Sequence, residues 1–70
     1  MYWVMKYDDT FYVWDERALV MYYYQRGDKV AGSLPASLQG LIKFNPDLEY
    51  VGKKQTPPEP VRRLLEEVNL

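Results

Sequence analysis

The chain contains no cysteine and no histidine. No disulfide can form, and the usual ligands of a structural zinc site are missing. The same two absences remove the commonest general base and the thiol nucleophile from any catalytic repertoire. A dominant charge sign is lacking as well. Nine basic residues stand against ten acidic ones, a net charge of −1 spread along the chain. That balance gives no electrostatic reason to expect a nucleic acid or an anionic membrane as partner. No apolar run approaches the length that spans a bilayer. The opening Met-Tyr-Trp carries neither a basic n-region nor an apolar h-region, so a cytoplasmic location is expected. There is no phosphate loop, nucleophile elbow, dinucleotide fingerprint, internal repeat or low-complexity tract.

What remains is a short chain rich in rings. Its 70 residues suit one compact domain over residues 1–70. A domain of this size buries only about 60% of the surface its unfolded chain exposes. Without a disulfide or metal, it needs unusually dense apolar packing or a partner subunit. The composition fits both: 47% of residues are hydrophobic, among them seven tyrosines, two tryptophans and two phenylalanines.

Residues 2–7 are aromatic or β-branched apart from a methionine and a lysine, and Phe11-Tyr12-Val13-Trp14 repeats that character after Asp8-Asp9-Thr10. Two such runs around a short polar turn predict a β-hairpin. Alternation puts Tyr2, Val4 and Lys6 on one face and Trp3, Met5 and Tyr7 on the other, while Phe11 and Val13 oppose Tyr12 and Trp14. Neither face is clearly polar. Such a hairpin is covered on both sides or leaves one side adhesive.

Residues 18–25 carry conflicting signals. Asp15 as N-cap, Glu16 at the positive end of the dipole, Ala18, and Gly27 as C′ residue after Arg26 favour a helix. Val20 and the triplet Tyr22-Tyr23-Tyr24 favour a strand. The caps tip the reading to a helix, with a third strand as the alternative. A connector containing Gly32, with room for a short strand at residues 29–31, then leads to a helix over about residues 35–43. Pro35 opens that helix, and Leu34, Leu38, Leu41 and Ile42 form its stripe. Asn45-Pro46-Asp47 ends it. Leu48-Glu49-Tyr50-Val51 is a strand candidate, ended by Gly52-Lys53-Lys54. Thr56-Pro57-Pro58-Glu59-Pro60 is a stiff lead-in to an amphipathic helix over about residues 59–68. There Val61, Leu64, Leu65 and Val68 share one stripe, and Arg62–Glu66 and Arg63–Glu67 are i,i+4 pairs.

The expected fold is α+β. A small antiparallel sheet, the N-terminal hairpin plus one further strand near residues 48–51, is packed on one face by two or three short helices including the amphipathic C-terminal one.

Nine of the rings lie within the first 24 residues, and one small core cannot easily satisfy so many tyrosine hydroxyls. Exposed tyrosine and tryptophan are the residue types of interface hot spots. Lys6, Arg17, Arg26 and Lys29 are offset by Asp8, Asp9, Asp15, Glu16 and Asp28, which favours a protein partner over a nucleic acid. The function expected is therefore a non-catalytic protein-interaction module: a small adaptor or an inhibitor of a larger protein, of the kind a phage or mobile element encodes. Its binding surface would draw on Tyr2, Trp3, Tyr12, Trp14, Tyr22, Tyr23 and Tyr24. No cofactor and no metal is implied, and a homodimer is an open option. One alternative is single-stranded nucleic-acid binding by aromatic stacking. The other is a small carboxylate- or metal-dependent enzyme, which requires Asp8, Asp9, Asp15 and Glu16 to converge. Arg26-Gly27-Asp28 reads as a helix cap or hairpin turn rather than an adhesion motif, and Lys53-Lys54 as a solvated turn.

Overall fold

A computed structural model describes residues 1–68 of the chain. The hairpin forms as its pattern predicts. β1 (Tyr2–Tyr7) and β2 (Thr10–Asp15) pair antiparallel from Tyr7↔Thr10 to Tyr2↔Asp15. Asp8-Asp9 is the two-residue turn. Asp8 sits at φ 53°, a left-handed conformation that aspartate tolerates better than most residues.

The helix expected over residues 18–25 is absent. β3 (Val20–Gln25) pairs with β2 along its whole length. The N-terminal cap is nevertheless real. One Asp15 carboxylate oxygen accepts from the backbone N–H groups of Arg17 at 2.9 Å and Ala18 at 3.3 Å, and the Asp15 carbonyl accepts from Leu19 at 2.8 Å. One helical turn forms and stops at Leu19, which takes φ 55°. Tertiary burial overrides the caps because β2 offers an open edge. Docking there buries Met21, Tyr22 and Tyr24 together, which an isolated two-turn helix could not do. Gly27, read as a helix cap, instead sits at φ 83° in the tight turn where Asp28 N–H donates to the Gln25 carbonyl.

Two more strands complete a five-stranded sheet, where a hairpin plus one strand was expected. β4 (Gly32–Pro35) pairs with β3, a few residues beyond the 29–31 segment. Gly32 leaves room there for the Tyr23 phenol, which a Cβ at this position would force to shift. Pro35 ends this strand rather than opening a helix. α1 (Leu38–Phe44) starts three residues later, capped by Ser37, whose hydroxyl accepts from Gly40 N–H at 3.0 Å. The chain crosses the sheet on α1 and returns as β5 (Glu49–Lys54), antiparallel to β1. β5 thus includes the Gly52-Lys53-Lys54 stretch that was expected to end it. The strand order is β4-β3-β2-β1-β5. α2 (Glu59–Val68) has the expected bounds. Its surface pairs are Arg62–Glu66 at 2.7 Å, Arg63–Glu59 at 2.8 Å and Arg62–Glu59 at 3.4 Å; in the structure Arg63 reaches back to Glu59 rather than forward to Glu67.

The helices do not share a face. Val61, Leu64 and Leu65 of α2 pack with Val4, Val13, Tyr22 and Tyr24 on one side of the sheet. Leu38 and Leu41 of α1 pack with Met5, Trp14 and Met21 on the other. This is what a sheet apolar on both faces demands.

Candidate functional site

The two faces differ in completeness, and that difference locates the candidate surface. On the α2 side the cover is tight: Val13 and Val61 are fully buried. Phe11 stacks on Tyr24 with centroids 5.5 Å apart, and the Arg26 guanidinium lies 5.9 Å from the Phe11 centroid. Burial pushes the Tyr22 and Tyr24 phenols above the ordinary tyrosine range, with the Asp15 carboxylate adding to the effect at Tyr22.

On the α1 side the cover is partial. α1 has only seven residues, about 10 Å of helix, and it lies over the middle of the sheet. A groove of about 280 Å³ remains where the β1 and β5 surface meets the helix. Trp3 and Met5 line its floor; Leu38, Ile42, Leu48 and Tyr50 line its walls; Asn45 and Pro46 close one end. The Asn45 amide N–H donates to the Leu41 carbonyl at 2.9 Å, which holds the helix end in place. A second hollow of about 300 Å³ lies on the β4 side of α1, against Met21, Leu34 and Phe44. Between the hollows α1 stands as a ridge. Ile42 is 53% exposed, Phe44 80%, and nearby Tyr50 57%.

The seven rings expected to form the binding surface separate by depth. Trp14, Tyr22 and Tyr24 are in the core. Tyr2, Trp3, Tyr12 and Tyr23 are half-buried. Trp14 is fixed by its indole N–H, which donates to the Ala36 carbonyl at 2.8 Å. Trp3 lies in the groove floor, half-buried and held by several neighbours. It meets Trp14 edge-on at 6.4 Å and Tyr50 at 5.9 Å, and the Lys53 ammonium lies 4.8 Å from its ring centroid. Its indole N–H donates to Glu16 at 3.0 Å, and the same carboxylate meets the N-terminal ammonium at 3.3 Å. The indole hydrogen bond is the main cause that holds the Glu16 carboxyl below its ordinary range.

The residues that sequence reasoning missed are Ile42, Phe44 and Tyr50. Ile42 was assigned to the helix stripe. In the structure α1 turns Leu38 and Leu41 to the sheet and leaves Ile42 at the edge of that stripe, on the wall of the groove. Tyr50 and Phe44 are the two rings outside the aromatic first third, and that isolation was the available signal.

The acidic residues do not converge. Asp8 and Asp9 lie at one end of β2 and Asp15 and Glu16 at the other, about 20 Å apart by strand rise. Among the described residues, no group of three or more carboxylates is placed to hold a metal ion, and no helix is long and apolar enough to cross a membrane. A more open hollow of about 540 Å³ lies beside the end of β3, lined by Thr10, Tyr23, Tyr24, Gln25 and residues 28–31. Comparison with known protein families, with characterised proteins and with solved structures finds no match for this chain.

Proposed function

We propose that this protein is a non-catalytic interaction domain, and that it engages another protein through the α1 face rather than through the hairpin rings as a set. The observation that carries the reading is the groove beside α1, with Ile42 and Tyr50 exposed on its walls and Phe44 exposed at the hollows next to it. Large apolar residues grouped at a concave surface are costly to leave in water and mark interaction sites. The groove has room for one or two apolar side chains, the way an anchor residue seats in a partner's pocket. Trp3 takes part as the floor of that groove, and Tyr12 borders a smaller hollow beside Phe44. Trp14 supports the floor from within.

A stacking surface for single-stranded nucleic acid needs free ring faces with a basic rim. The Trp3 ring already faces Lys53, Tyr50 and Trp14, and its edge is tied to Glu16, so the protein-partner reading has the better support. The test is affinity capture from a lysate of the source cells, comparing the wild type with an Ile42→Lys/Phe44→Asp variant of unchanged circular dichroism. A specific partner retained by the wild type and lost with the variant is the expected result. Equal retention by both proteins overturns the assignment of this face.

A further inference from the structure

The sheet has two open edges, and they are built differently. β4 has four residues and ends in Pro35, which lacks an N–H to donate. β5 has six residues, contains no proline, and leaves Tyr50 and Val51 exposed. Such an edge presents unpaired backbone groups to any strand that can match it.

β5 reads Glu49-Tyr50-Val51-Gly52-Lys53-Lys54, and it contains a bulge. Met5 pairs with Tyr50 and Val4 with Gly52, which leaves Val51 as the extra residue. The bulge reverses the alternation of side chains along the strand. Tyr50 and Lys53 therefore share the α1 face, opposite Met5 and Trp3, while Glu49 and Lys54 share the α2 face, opposite Lys6 and Tyr2. In a regular strand each of these pairs would be split between faces.

We propose that β5 pairs antiparallel with β5 of a second copy of this chain, about a two-fold axis perpendicular to the sheet between Val51 and Gly52. That operation keeps each face on its own side. It places Glu49 opposite Lys54 of the partner copy, Tyr50 opposite Lys53, and Val51 opposite Gly52, each pair occurring twice. The charges are complementary across the axis, acid against base at both ends. Tyr50 meets a lysine that already sits over a ring in its own subunit. Val51 meets a glycine with nothing within 4 Å of its Cβ position, so there is space for the valine methyl groups. Edge lysines ordinarily discourage strand pairing by repulsion; here each faces a carboxylate or a ring. The Glu49–Lys6 contact within one chain is long, 3.9 Å, with Glu49 largely exposed, so the carboxylate is available to a partner lysine. The product is a continuous ten-stranded sheet with both α1 ridges on one side. It shares Tyr50 with the wall of the groove beside α1 but does not require a partner to be docked there.

The experiment is sedimentation or light scattering across a dilution series. Wild type is expected to move from the 8.3 kDa monomer to twice that mass as concentration rises. Lys54→Glu and Glu49→Lys, each at an exposed position, set like charges opposite one another and are expected to weaken association about tenfold or more each. The double swap Glu49→Lys/Lys54→Glu restores opposite charges and is expected to recover most of the wild-type affinity. In parallel, amide exchange of β5 is expected to slow with concentration, while that of β4 stays constant. A wild type that stays monomeric throughout overturns the proposal, as does a dimer indifferent to the single changes or a double swap that fails to recover it. Because Ile42 and Phe44 lie off this edge, the Ile42→Lys/Phe44→Asp variant is expected to dimerise like wild type, which separates this result from the capture experiment.

Discussion

The two faces of this sheet use the same strands and are both apolar, yet one is closed and the other is not. On the α2 side a ten-residue helix lays a Val61, Leu64 and Leu65 stripe across Val4, Val13, Tyr22 and Tyr24, and Val13 and Val61 lose all contact with water. On the α1 side a seven-residue helix meets a floor that carries two tryptophans. A shorter cover over larger side chains leaves troughs at its flanks, and its own outward residues stay exposed. The comparison teaches that helix length set against the breadth of the face below decides which side of a small sheet is finished by the chain itself.

The contrast can be broken most directly by placing the same charge on both helices. Val61→Lys puts an ammonium at a fully buried position. The cost of several kcal/mol is comparable with the whole stability of a domain this size, on the order of 4–10 kcal/mol. It is expected to abolish cooperative urea unfolding followed by circular dichroism. Ile42→Lys is expected to change stability by no more than about 0.5 kcal/mol. Similar losses at the two sites would show the faces to be equally packed.

The next largest effect tests the exception on the open side. Trp14 is buried there and hydrogen-bonded to Ala36. Trp14→Ala is expected to cost about 3–5 kcal/mol in the same assay. Trp14→Phe keeps most of the apolar contact and strands one carbonyl, for about 1–2 kcal/mol. Near the β4 edge, Gly32→Ala forces a methyl group against the Tyr23 phenol. A loss of about 1–3 kcal/mol is expected, read as a lower denaturation midpoint at unchanged slope.

The smallest effect sharpens the closed side through pH. Tyr22 and Tyr24 have folded pKa values raised by burial. Their contribution is fully present below the unfolded tyrosine value near pH 10 and is lost as pH climbs through the raised values, because the unfolded chain releases those protons first. The loss contributed by these two tyrosines should therefore begin above about pH 10. Tyrosinate absorbance should show a late-titrating component that Tyr22→Phe and Tyr24→Phe each reduce. Its absence would mean that water reaches those phenols in the folded protein.

Much of the fold was legible because it was local. The hairpin followed from two apolar runs around Asp8-Asp9, and α2 from a stripe at helical spacing behind a stiff proline segment. The need to cover both faces followed from side chains that alternate without a polar side. The difficult segment was residues 18–25. Its caps are real, and Asp15 does hold the first N–H groups of a turn, but a cap stabilises a helix end by about 1 kcal/mol. Burying Met21, Tyr22 and Tyr24 against a neighbouring strand outweighs that.

The candidate site was less legible for a related reason. Composition marked the first third as ring-rich, yet Trp14, Tyr22 and Tyr24 went to the core, and Tyr50 and Phe44 from the second half came to the surface. By itself the sequence determined the repertoire: no thiol or imidazole chemistry, balanced charge, a hairpin apolar on both faces and one amphipathic helix. Tertiary structure alone decided which rings met water, where α1 fell short, and that a bulge at Val51 would bring Glu49 and Lys54 to one face. Periodicity is a property of neighbours along the chain. Exposure and register depend on which distant segment arrives beside a strand, and no local pattern encodes that arrival.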